Sequence, residues 1–337
     1  MINNIKVIAE VGVNHNGNIN SAFRYIKAAK EAGADAVKFQ LFSADKLVTD
    51  TAKTAHYQKK ETGNKKQYDL LKKLEISQVQ VANLQKFAQL IKIDFICTPF
   101  DVPSLKFLMS QKISSIKLSS GDFDNLFMHE EIIKNSYPVI LSTGMANLEE
   151  INKIYHLYKS NNHKNFNFLH CVSMYPADVS LINLNFIKKL SELFPDTTIG
   201  FSDHTTEILT GALSVAAGAK IIEKHITFSN NLPGPDHKAS LTIGDFKKYV
   251  SNIRLAECVI GDGVKKITKK ELEIKKIARR SLAYSSDLKA GSKIKKIDLC
   301  ALRPNKGIST FEYENLIGKI LKRNVKKNTL LKLSDIS

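Results

Sequence analysis

Reactive side chains recur in this sequence at the ends of short apolar runs, and their types suit one kind of chemistry. The stretch Ala9-Glu10-Val11-Gly12-Val13-Asn14-His15-Asn16-Gly17 brings a carboxylate to the end of such a run and follows it with a small-residue loop. In Val37-Lys38-Phe39-Gln40, a strand's period of two puts Lys38 and Gln40 on one face. A second lysine lies in Ile116-Lys117-Leu118-Ser119-Ser120-Gly121-Asp122, and hydroxyls recur in Leu141-Ser142-Thr143-Gly144-Met145. Two buried lysines facing one axis are costly without an anion, so Lys38 and Lys117 imply a bound phosphate or carboxylate. Hydroxyls and backbone N–H groups at Ser119 to Gly121 and Ser142 to Gly144 would complete the cradle. Gly200-Phe201-Ser202-Asp203-His204 and Ile222-Glu223-Lys224-His225 both end on an imidazole. On adjacent strands, His204 and His225 can converge on one divalent ion, the other positions being left to water and substrate oxygens. Mn2+ or another first-row ion suits that set as a Lewis acid on a carbonyl.

Other candidates have plainer readings. His15 fits a loop hydrogen bond as well as catalysis. His170 and Cys171 are neighbours on one run, so they point to opposite faces and make a poor nucleophile pair. Gly261-Asp262-Gly263 lacks the strand and helix of a dinucleotide fingerprint.

Eight apolar runs carry these residues: Ile5 to Val11, Ala36 to Gln40, Phe95 to Thr98, Ile116 to Ser119, Val139 to Ser142, Phe166 to Cys171, Thr198 to Phe201 and Lys220 to His225. Stretches of helical periodicity alternate with them, such as Ser21 to Ala32, Gln78 to Leu90, Asn147 to Tyr158 and Glu207 to Ala217, with Gly33 and Gly218 near helix ends. Eight βα repeats predict an α/β fold, a closed (β/α)8 TIM barrel over residues 1–262, whose buried parallel strands read as continuous apolar runs. A Gly- and Lys-rich, strongly charged stretch, 263–277, reads as a linker. Residues 278–337 lose the βα rhythm and read as a small β-rich domain.

The 337 residues, with 43% hydrophobic and 25% charged, fit a globular chain and exclude disordered, collagen-like and disulfide-dense classes. No apolar run approaches the ~20 residues of a membrane span, and no signal peptide opens the chain, so a cytoplasmic protein is expected. The four cysteines, Cys97, Cys171, Cys258 and Cys300, form no C-x-x-C pair and are expected to be buried small hydrophobes. The net charge of +17 comes mostly from scattered lysines without arginine clusters. It reads as solvated surface that favours anionic substrates rather than as a nucleic-acid footprint.

The strand-end motifs resemble those of the sialic acid synthase family, the nonulosonate synthases. Besides the Glu10, Ser142, Ser202-His204 and Glu223-His225 motifs, Thr98-Pro99-Phe100 and Pro233-Gly234-Pro235-Asp236-His237 follow in order. Arg279-Arg280-Ser281 and Leu302-Arg303-Pro304-Asn305-Lys306-Gly307-Ile308 resemble the family's antifreeze-like (SAF) C-terminal domain. The resemblance implies condensation of phosphoenolpyruvate with an open-chain N-acetylated amino sugar, releasing phosphate by C–O cleavage. It implies that Lys38 and Lys117 grip phosphoenolpyruvate amid hydroxyls at Thr98, Ser120, Ser142, Ser202 and Ser281. His204 and His225 match the family's Mn2+ ligands, Glu10 a proton-handling carboxylate, and Gln40, Tyr175 and Asp236 substrate-facing positions. Arg303 matches an arginine delivered to the partner subunit's sugar site, implying a domain-swapped homodimer. Asp122 stands where neuraminate synthases carry Glu, and Val172-Ser173-Met174-Tyr175 departs from an Asn or Thr before the tyrosine. The sequence reading favours N-acetylmannosamine as the sugar, giving N-acetylneuraminate. Its alternatives are a 2,4-diacetamido-6-deoxy sugar, giving legionaminate, and a non-catalytic glycan-binding protein.

Overall fold

The computed structural model describes residues 5–49, 52 and 66–337. The chain divides into two units, Met1–Gly261 and Asp262–Ser337. In the first, eight strands run parallel and in order: β1 (Lys6–Gly12), β2 (Ala36–Leu41), β3 (Asp94–Pro99), β4 (Ser115–Leu118), β5 (Val139–Ser142), β6 (Phe166–Cys171), β7 (Thr198–Asp203) and β8 (Ile221–Thr227). β8 pairs back onto β1, so the sheet closes into a (β/α)8 barrel. A two-residue strand, β9 (Leu241–Thr242), pairs parallel with the end of β8.

The period of two explains the interior. Ile8, Ala36, Ile96, Ile140, Leu169 and Ile221 form a separate apolar cluster that plugs the barrel. Two residues further along their strands, on the same face, stand Glu10, Lys38, Thr98, Ser142, Cys171 and Glu223. The lumen therefore changes from a dry plug to a polar floor within one step of each strand. Gly200 belongs to the plug level, where a Cβ would lie 2.3 Å from the Ile221 carbonyl oxygen and 2.5 Å from Leu169 Cδ2. The residues between these positions face outward into the large cluster under the helices.

Helix ends follow their signals. Ser77 with Gln80 and Asn147 with Glu150 form capping boxes, and Asp101 caps its helix through the Ser104 N–H. Gly33 and Gly218 follow helix ends with φ of 92° and 107°. Two helices in the loop after β2, Ala44–Leu47 and Gln67–Leu74, were not expected from the sequence. Residues 263–277, read from composition as a linker, contain a helix, Lys269–Ala278, opened by a Thr268/Glu271 capping box.

The expectation for the cysteines holds for Cys97 and Cys171 and fails for the others. Cys258 is exposed on the helix Ile243–Ile260, and Cys300 is half-buried. Among the described residues, no helix is long and apolar enough to cross a membrane.

In the second unit, β10 (Ser281–Tyr284) and β11 (Leu299–Leu302) pair antiparallel. Leu282, Tyr284, Ile294, Leu316, Leu321, Val325, Leu331 and Ile336 make its core. Asp335, almost fully buried, accepts from the Tyr284 hydroxyl at 3.2 Å and from Arg323 Nε at 2.8 Å.

Candidate active site

A cavity of about 640 Å³ opens at the C-terminal ends of the strands. Its lining includes Glu10, Lys38, Gln40, Thr98, Lys117, Ser120, Asp122, Ser142, Tyr175, Ser202, His204, His225 and Asp236, so every site residue expected from the barrel is brought together. At the floor, Lys38 Nζ lies 3.2 Å from Glu10 Oε1 and 3.3 Å from Glu223 Oε1, and donates to Thr98 Oγ1 at 3.2 Å. Lys117 Nζ donates to Ser142 Oγ at 2.5 Å and to the Leu118 carbonyl at 3.1 Å. Among the described residues it has no carboxylate within ion-pair distance. Register places the Cα of Glu10 between those of Lys38 and His225.

Burial sets the protonation states. It raises the Glu10 carboxyl to about 7 against the pull of Lys38. Burial also works against the charge on Glu223, but Lys117 and Lys38 outweigh it and hold that carboxylate at about 2. Lys38 stays above the usual lysine value because Glu10 and Glu223 together overcome its desolvation, whereas burial lowers Lys117. Asp236, over the Gly12 turn, is raised by burial to about 6. Gly12 has φ of 53°, and a Cβ there would approach Glu10 Oε1 to 3.1 Å, Gln40 Nε2 to 3.3 Å and Asp236 Oδ2 to 3.6 Å. Glycine is what lets those three groups meet.

Opposite them, His204 and His225 have ring centroids 5.7 Å apart, and the Tyr175 ring lies 4.3 Å and 5.8 Å from them. His204 Nδ1 is 2.7 Å from the Val172 carbonyl, so it carries the proton, and its Nε2 keeps a lone pair. Burial lowers His204 to about 4 and holds His225 well below the usual histidine value, so both rings are neutral. His225 Nδ1, Glu10 Oε2 and Glu223 Oε2 are buried without a hydrogen-bond partner. Neutral imidazoles beside orphaned acceptors fit a cation. Among the described residues, no three His, Cys, Asp or Glu side chains converge as a metal cage, so its other ligands would be substrate and water.

At the ends of β4 and β6, Ser120 Oγ and Ser173 Oγ are 2.9 Å apart. Asp122 Oδ2 accepts from Ser119 Oγ at 3.0 Å. Gly144 leaves room for this pair, since a Cβ there would sit 2.1 Å from Ser173 Oγ. Cys171 lines the cavity, but burial raises its thiol and keeps it protonated. His170 faces away and donates from Nε2 to the Ile182 carbonyl at 2.6 Å. His15 stays out of the lining, and its Nδ1 accepts the Gly17 N–H at 3.0 Å, which makes it a loop residue.

Two expected residues, Ser281 and Arg303, lie in the second unit. Ser281 is fully buried in the second unit, donating to the Pro304 carbonyl at 3.0 Å and accepting the Gly307 N–H at 2.9 Å. Its hydroxyl is already satisfied. Arg303 Nε donates to the Ala278 carbonyl at 2.8 Å within the same unit. Conversely, the sequence reading passed over Glu223 as a site residue. The signal was available, because Glu223 stands two residues before His225 on one strand and shares its face.

A closed parallel barrel that gathers carboxyls, ammonium groups and neutral imidazoles at its C-terminal mouth has the arrangement of a barrel enzyme's active site. The chain belongs to the NeuB family, which matches residues 25–265, and residues 279–337 match the SAF domain. It is 41% identical over 330 residues to N,N'-diacetyllegionaminic acid synthase of Legionella pneumophila, covering 96% of this chain and 92% of that one. The synthase of the same name from Campylobacter jejuni is 40% identical over 329 residues, covering 97% and 98%. Human N-acetylneuraminate-9-phosphate synthase is 33% identical over 315 residues, covering 93% and 87%. Among solved structures, the N-acetylneuraminic acid synthetase of Leptospira borgpetersenii in complex with citrate is 33% identical, with a TM-score of 0.71 over 81% of this chain and 90% of that one.

Proposed function

We propose that this protein joins phosphoenolpyruvate to the open-chain form of an N-acetylated amino sugar, giving a nine-carbon nonulosonate and phosphate. The favoured sugar is 2,4-diacetamido-2,4,6-trideoxymannose. N-acetylmannosamine, favoured by the sequence alone, becomes the second reading. The relatives at 41% and 40% identity are named for diacetyllegionaminic acid, whereas those named for N-acetylneuraminate-9-phosphate stand at 34% and 33%. The observation that carries the reaction class is the pair of buried lysines in one cavity, one of them with no carboxylate partner among the described residues.

In this reading Lys38 and Lys117, with Thr98, Ser120, Ser142 and Ser202, hold the carboxylate and phosphate of phosphoenolpyruvate. Glu223, kept ionised, holds Lys38 in place. His204 and His225 would bind a divalent ion such as Mn2+, which supplies Lewis acidity at the sugar's carbonyl oxygen. Tyr175 packs against both rings and fixes their tilt. C3 of phosphoenolpyruvate bonds to the aldehyde carbon, water adds to the cation left at C2, and the tetrahedral carbon expels phosphate by C–O cleavage. Glu10 takes the water's proton, while Gln40, Asp122 and Asp236 face the sugar. A homodimer in which Arg303 completes the other copy's sugar site belongs to the same proposal.

The direct test is phosphate release from phosphoenolpyruvate and Mn2+, run in parallel on the two sugars. Release with neither would end the proposal. His225→Ala is expected to abolish turnover with the fold intact by circular dichroism, and near-normal rates would remove the ion from the reaction. Arg303→Ala is expected to raise the sugar's KM by about 10- to 100-fold, the worth of a charged hydrogen bond, while that of phosphoenolpyruvate stays put. Equal effects on both would undo the cross-subunit role.

A further inference from the structure

The cavity is not uniform around its rim. Past the floor, the strands from β4 to β8 and the loops after them contribute mostly hydroxyls, imidazoles and carboxylates, whereas among the described residues the lining after β1 to β3 is mostly apolar, with Gln67 its polar member. The same period of two that places Lys38 and Gln40 inward carries on to Phe42, and the one that places Thr98 inward carries on to Phe100. The two rings meet edge to face at 6.0 Å between centroids. Leu47, Val48 and Leu71, brought in by the loop after β2, line the same side and are only half-buried, so they present apolar surface to the cavity.

We infer that Phe42, Phe100, Leu47, Val48 and Leu71 form a specificity wall for the methyl-bearing far end of a 6-deoxy, 4-acetamido sugar. This rests on the function proposed above. With the aldehyde end near His204 and His225, the distal carbons extend across the cavity from the floor towards the rim. A hydroxymethyl group against this wall finds no hydrogen-bond partner in these five side chains, and burying a hydroxyl unpaired is unfavourable. A C6 methyl and an acetamide methyl instead gain apolar contact. One methyl in an apolar pocket discriminates by about 10- to 200-fold.

The test compares the two sugars on the full-length protein with Mn2+ and saturating phosphoenolpyruvate. The parent is expected to prefer the 2,4-diacetamido-6-deoxy sugar. Leu71→Asn, and the near-isosteric Val48→Thr should Leu71→Asn fail to fold, are expected to reduce that preference by about 10-fold through the sugar's KM. The KM of phosphoenolpyruvate is expected to be unmoved, which a general loosening of the site would not allow. Turnover with an unchanged preference, or a parent that prefers N-acetylmannosamine, would overturn the wall and leave the condensing function standing. Phosphate release with neither sugar would overturn both.

Discussion

Lys117→Met is expected to yield a folded protein, less destabilised than Lys38→Met, that no longer binds phosphoenolpyruvate usefully, whereas Lys38→Met is expected to be markedly destabilised. Both lysines are buried in the same cavity, so the contrast comes from their partners. Lys38 lies between two carboxylates at 3.2 Å and 3.3 Å. Removing it takes the ion-pair partner from both Glu10 and Glu223, and breaking such a buried pair costs about 3–5 kcal/mol. Lys117 has a hydroxyl and a carbonyl for company, and burial already disfavours its charge. Met removes that charge at similar volume; Glu223 loses the attraction of Lys117 but keeps Lys38 at 3.3 Å, so the loss of stability is expected to be smaller than in Lys38→Met. Anion binding suffers directly: truncating one partner of a desolvated charge pair costs about 2–5 kcal/mol, or roughly 30-fold to a few thousandfold in affinity. Phosphoenolpyruvate alone gives the readout, because a ligand at 100 times its Kd stabilises the parent by about 2.7 kcal/mol. The thermal shift should vanish in Lys117→Met. A persistent shift, or equal destabilisation by the two variants, would mean that Lys117 does not grip the anion.

That contrast was out of reach of the sequence, which treats the two lysines alike. What it shows well is the barrel. Strands buried on both faces are written as unbroken apolar runs, and β5 and β6 begin and end where those runs do. The end-of-run residues line the cavity for the same reason, since the lumen becomes polar at a fixed step along each strand. Two kinds of feature stay hidden. Glu223 was overshadowed by His225 beside it, although the period of two makes them neighbours on one face. The proposed apolar wall joins Phe42, Leu47, Val48, Leu71 and Phe100, which lie in separate stretches of the sequence and meet only in the fold. The helix Lys269–Ala278 was masked by its charge, while the Thr268 and Glu271 spacing marks its start.

Glu10→Gln isolates the remaining step. A carboxyl that burial has raised to about 7 exchanges protons readily near neutrality, where general acid–base catalysis works best. The amide keeps the shape and the reach to Gln40, which now lies 3.4 Å from Glu10 Oε1, but cannot take up a proton. We expect kcat to fall by about 10²- to 10⁴-fold, with the KM of phosphoenolpyruvate little changed. Stability should not suffer above neutral pH. A carboxyl whose folded-state value is raised favours its neutral form, so in the parent its contribution is present at low pH and is lost as pH rises towards 7. The amide does not titrate, so the variant escapes that loss. Glu223 still neutralises Lys38. The competitor for the proton is Asp236, raised by burial to about 6 and beside the same Gly12 turn. If Glu10→Gln keeps its rate while Asp236→Asn loses it, the water's proton goes to Asp236 instead. In that case Glu10 acts chiefly as a counter-charge for Lys38, and Glu10→Gln would lower the affinity for phosphoenolpyruvate rather than the rate of its breakdown.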